Sequence, residues 1–160
     1  MRLDKQSILS DAQDVRGAAI VKSENSIDLG DTGMVHGFSA SAAANGRVPI
    51  RRRIGSKGQR FMGQIIRDFI GATSLEVNFV VGTGVDANGV INAGRKLLQT
   101  VTLDTVTAGT AIPWPNIPRY LTERYFALEY LPKGAASTGS DSTGGQVTAG
   151  FVEDVPDHDF

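Results

Sequence analysis

The chain has 160 residues, 16 cationic and 17 acidic side chains, a net charge of −1 and no cysteine. A length of this order corresponds to one domain with a core that needs no metal or disulfide, and the missing thiols exclude disulfides, thiolate zinc sites and cysteine nucleophiles. The balanced charge gives no general attraction to nucleic acid or membrane surfaces, no apolar run approaches the ~20 residues of a membrane span, and Met1-Arg2-Leu3-Asp4-Lys5 has no signal-peptide core, so a soluble, cytoplasmically made protein is expected.

Residues 1–23 read as an N-terminal arm. Within it Ile8, Leu9, Ala12 and Val15 recur at three- and four-residue intervals. That spacing fits a short helix or an extended arm, and the stretch is too short to hold as an isolated helix. Ser26–Gly30 resembles a short edge strand. Residues 39–60 form a long basic loop: Arg47–Arg60 carries six cationic residues and no acid. Loops of this length in a compact domain are functional or disordered.

Clear strand signals begin after residue 60. Within Phe61–Phe69, Gln64–Phe69 is a strand, and Gly71-Ala72-Thr73 is a turn. Ser74–Val81 alternates, with Leu75, Val77, Phe79 and Val81 on one face and Glu76, Asn78 and Val80 on a mostly polar outer face. Asp86-Ala87-Asn88-Gly89 is a turn. Leu97–Val106 is rich in β-branched residues. Three prolines around Trp114 mark an extended connection. Arg119–Leu131, bent or bulged, is apolar on both faces, as a central strand is. Gln146–Glu153 is the last strand, and residues 154–160 form an acidic tail. Glycine-rich turns between short β-branched runs mark an all-β class, a single antiparallel β-sandwich of jelly-roll or immunoglobulin-like type over residues 24–153.

Catalytic signatures are poor. His36 and His158 have no local partner for general-base chemistry. The Asp28/Asp31 and Asp86/Asn88 clusters lack the calcium-loop spacing and read as turn chemistry. Gly55-Ser56-Lys57-Gly58 has the wrong order for a phosphate loop. No enzyme, metal or cofactor is expected. The basic segment is the anomaly. Its arginines need water or an acidic partner, and their planar fork suits carboxylates at a protein interface. Without interleaved aromatics the segment is a poor single-strand binder, so nucleic acid is disfavoured. Trp114 is a candidate interface anchor or, equally, a core tryptophan at a sheet rim.

Several segments, taken in order, resemble the capsid cement (decoration) proteins of short-tailed bacteriophages. They are Leu3-Asp4-Lys5-Gln6 with Ser10-Asp11-Ala12-Gln13, Ser26–Gly30, Gly71–Val77, Arg124–Tyr130 and Thr143–Val152. The resemblance implies a jelly roll on the outer surface of the virion capsid that clamps neighbouring major capsid subunits without catalysis. On that reading Arg47, Arg51, Arg52, Arg53, Lys57 and Arg60 are expected to dock electrostatically. Ile8, Leu9 and Val15 are expected to form an apolar anchor that orders on binding. Trp114, Tyr125 and Tyr130 are expected at a dimer or trimer interface. The rival readings are a nucleic-acid module using the arginine-rich loop and a tail or neck adaptor.

Overall fold

The computed structural model describes residues 8–17, 19–29, 52–53, 59–117, 120–121, 123–134 and 144–153. Among them there is no helix and there are twelve strands: β1 (Ile8–Val15), β2 (Val21–Lys22), β3 (Ile27–Asp28), β4 (Arg52–Arg53), β5 (Gln59–Arg67), β6 (Ser74–Gly82), β7 (Gly84–Val85), β8 (Ile91–Ala93), β9 (Lys96–Leu103), β10 (Tyr120–Leu121), β11 (Tyr125–Lys133) and β12 (Gly145–Glu153). All pairings between them are antiparallel.

Two sheets carry the core. One runs β1-β12-β5; the other runs β2-β11-β6-β9, with β3 also paired to β11. The β6–β11 ladder is unbroken from Tyr125↔Gly82 to Lys133↔Ser74. Its regularity follows from strict alternation. Leu75, Val77, Phe79 and Val81 point into the core against Phe126, Leu128 and Tyr130, and all of them are fully buried. The opposing sheet supplies Leu9, Ile65, Val147, Ala149 and Phe151. Each buried Val, Leu, Ile or Phe among them contributes roughly 1.5–3 kcal/mol of hydrophobic stabilisation. The first residue of β12, Gly145, is glycine because the ring of Phe69 lies where a Cβ would project.

The β1 and β5 edges are covered by neighbouring chain. On β1, Leu9 C=O accepts from Asn25 N–H at 3.0 Å, and Gln13 bonds to both Lys22 C=O and Glu24 N–H. On β5, the chain at 109–112 runs alongside: Ile65 N–H donates to Thr110 C=O, and Gly109 and Ile112 N–H donate to Ile65 and Gly63 C=O, at 2.8–2.9 Å. β2 and β3 are two residues each.

Several expectations are corrected. Residues 8–15 are neither a helix nor a free arm but a strand of the sandwich; residues 1–7 lie outside the described residues. The strand expected over 97–106 stops at Leu103, and the one over 119–131 divides into β10 and β11, the latter running through Pro132. The outer face of β6 is not open, since Asn78 and Val80 are 9% and 1% exposed. The β7–β8 hairpin folds back over it, so that Val80, Ile91 and Ala127 form a second apolar cluster. The turn at 86–89 is as expected: Asp86 accepts from Asn88 and Val90 N–H, and Gly89 takes φ +79°.

Candidate docking surface

The interior polar groups bond to one another. Ser10 Oγ donates to Gln13 Oε1 at 2.7 Å and lies 2.8 Å from Tyr130 Oη. With the Ser10 proton used on Gln13, the Tyr130 hydroxyl is the donor of the second bond. Gln13 Nε2 then donates to Lys22 C=O at 2.7 Å. The chain of bonds links the centre of one sheet to the edge of the other. Burial pushes the Tyr130 phenol far above its ordinary value.

On the outer face of the larger sheet, Glu129 is 3% exposed. Its carboxylate is gripped by Arg95, with Nε to Oε2 at 2.9 Å and Nη2 to Oε1 at 2.6 Å. Hydrogen bonding to that carboxylate raises the Arg95 pKa. Beside the pair a cavity of about 10 Å³ lies among Lys22, Val80, Ile91 and Ala127, room for one water at most. It is too small for a substrate. Asp28, weighed above as a calcium ligand, receives Arg124 Nε and Nη2 at 2.7 and 2.6 Å. Among the described residues no three His, Asp or Glu side chains gather around a common metal position.

The surface holds a different feature. Trp114, between Pro113 and Pro115, packs on four phenylalanines. Phe61 and Phe151 come from one sheet and Phe79 and Phe126 from the other, with centroids 5.2, 5.6, 5.6 and 6.0 Å away respectively. The indole wedges the open end of the sandwich and is still 41% exposed. Its flanking prolines fix the local backbone, so this apolar group reaches solvent from a rigid base. Ile66 and Ile70 add exposed apolar surface near the end of β5.

The expected site residues are distributed unevenly. Leu9 and Val15 are fully buried in the core and so are no docking anchor, while Ile8 on the same strand is half-buried. Tyr130 is likewise buried and excluded from an interface. Tyr125 is half-buried on the Val80–Ile91 cluster, with the Arg124 guanidinium 5.3 Å above its ring. Trp114 is exposed as an interface residue must be. Of the basic set, Arg60 is exposed on β5, where it pairs with Val152. Arg52 and Arg53 pair through their backbones with Leu121 and Tyr120, and their side chains lie outside what is described. Arg47, Arg51 and Lys57, with His36 and His158, also lie outside the described residues. Sequence reading missed Arg95 opposite Glu129. The available signal was an acid in the middle of a strand apolar on both faces, which demands a cationic partner.

No protein-family model matches the chain, and no curated protein matches it.

Proposed function

We propose that this chain is a structural protein of a bacteriophage head, a β-sandwich of jelly-roll type that binds the outside of the capsid and clamps neighbouring major capsid subunits. One observation carries the binding reading: the buried polar groups described above are consumed by the framework, while Trp114 stands 41% exposed on a four-ring base. A group of that kind serves contact, as tryptophans at interface centres do. The ordered likeness to capsid cement proteins supplies the partner. The mechanism is additive. A shell presents the same site many times, so modest contacts repeated over it raise the cost of separating its subunits. The basic segment around Arg51, Arg52 and Arg53 docks on acidic capsid surface.

The test is co-sedimentation with heads depleted of this protein, with and without nuclease. Saturable binding to nuclease-treated empty heads is expected, and Arg51→Ser/Arg52→Ser/Arg53→Ser should weaken it at least about tenfold, ~1.4 kcal/mol, with the fold intact. Binding that requires DNA and falls steeply with salt would replace this reading with a nucleic-acid module.

A further inference from the structure

We propose that β9 is a self-pairing edge, along which a second copy of this chain docks antiparallel with the two-fold axis at Val101. The larger sheets of the two copies then run on into one another. The inference stands independently of the capsid reading.

An open edge offers a row of N–H and C=O groups to any passing strand, and folded proteins blunt such edges with bulges, charges, short strands or covering chain. β1 has two register shifts, exposed Asp11 and Asp14, and bonds to the 22–25 connection. β5 is covered by residues 109–112. β2 and β3 are two residues long. β9 has eight residues and pairs with β6 on one side alone; among the described residues no backbone group bonds to its other side. Its one register shift lies between the Phe79 and Val80 pairings, at Leu98, near the start of the strand. Beyond that the stretch Gln99-Thr100-Val101-Thr102-Leu103 is regular, with no charge and no proline. Alternate residues of an antiparallel strand turn both backbone groups outward, so this window is a ready template.

The sequence of the window selects a second copy as the occupant. With the axis at Val101, each Val101 faces its own counterpart. Thr100 faces Thr102 on both sides of the axis, and Gln99 faces Leu103. No like charges meet. The Val101 pair lies on the core-facing side, where Val101 already packs half-buried against the core. The threonine pairs lie on the outer side, where Thr100 Oγ1 bonds to Asn78 Oδ1 at 2.7 Å. Facing β-branched and Thr–Thr pairs are favourable cross-strand neighbours. Self-complementarity about a two-fold is what an isologous interface requires. The contact is a short ladder, smaller than a standard stable interface, so dimerisation is expected to be concentration-dependent.

Sedimentation velocity on the full chain, up to about 1 mM where weak contacts become populated, tests this. The wild type should pass from monomer to dimer. Thr100→Lys/Thr102→Lys sets lysine against lysine twice and should weaken dimerisation at least about tenfold; Thr100→Glu/Thr102→Glu should do the same. Mixing the two variants should restore a heterodimer, which also establishes that both are folded. In a milder variant, Val101→Cys introduces the sole cysteine of the chain and should cross-link two copies under mild oxidation. Gln99→Cys should not, because two copies of residue 99 lie about 14 Å apart at ~3.4 Å per residue, beyond disulfide reach. A wild type monomeric throughout, dimers indifferent to the charged pairs, or equal cross-linking at 99 and 101 would each overturn the proposal.

Discussion

Tyr130 is buried completely, yet its hydroxyl has a polar partner in Ser10, 120 positions earlier in the chain. The alternation of β11 correctly places Tyr130 on the face of Phe126 and Leu128. What the local pattern does not contain is Ser10, and a tyrosine without a visible partner reads as an interface residue. The burial has a consequence in pH. A phenol whose folded pKa is raised gives stability that is complete below its unfolded value of 10.0 and is lost as pH rises beyond it, because the unfolded chain then releases a proton that the folded one keeps. Urea unfolding should therefore show a falling midpoint above pH 10. Tyr130→Phe should cost about 1 kcal/mol at neutral pH through the lost hydrogen bond and should fall less steeply above pH 10. Equal alkaline slopes in the two proteins would contradict this account.

The same division between local and distant causes holds for whole strands. β6 and β12 are legible from their alternation, β9 from its β-branched residues and β11 from its two apolar faces. β1 is not, and the reason is physical. Its bulges and the left-handed backbone of Ala12, at φ +48°, reset the alternation, so that Leu9, Ser10, Gln13 and Val15 are the buried positions. The buried set therefore follows neither a strand's period of two nor the stripe of Ile8, Leu9, Ala12 and Val15, whose Ala12 is exposed. The outer face of β6 and β11 is hidden for another reason: its cover, the β7–β8 hairpin, carries no pattern of its own beyond a turn. Beside this hairpin sits the Arg95–Glu129 pair. Glu129 is nearly inaccessible, whereas the Arg95 side chain is 43% exposed. Arg95→Ala removes the cation and strands the buried carboxylate, which should cost about 3 kcal/mol. Thermal unfolding of this variant beside Lys96→Ala, whose ion pair to Glu123 spans 3.9 Å at the surface, is the measurement. Near-zero change is expected at Lys96, and a similarly small change at Arg95 would show that solvent reaches Glu129.

For the molecule as a whole, the sandwich class was legible and the surface was less so. Trp114 was recognisable as unusual from its prolines alone, but the four rings beneath it come from β5, β6, β11 and β12, and no window of sequence holds them together. It therefore has two roles that a single substitution separates. Trp114→Ala should destabilise by about 2 kcal/mol, below the full core penalty because the indole is partly exposed, while Trp114→Phe should restore most of that. Partner binding that follows the indole and not the stability identifies Trp114 as a contact; binding that tracks stability in both variants confines it to packing. The seam between β1 and β12 reaches further than packing. Val15 pairs with Gly145, 130 positions later. During synthesis at about 5–20 residues per second, β1 waits on the order of ten seconds for the strand it must join. Until then Leu9 and Val15 are apolar surface without a home. The growing chain thus passes through a long interval in which β1, among the described strands, lacks its partner, and a chaperone that recognises short apolar segments could hold it during that time.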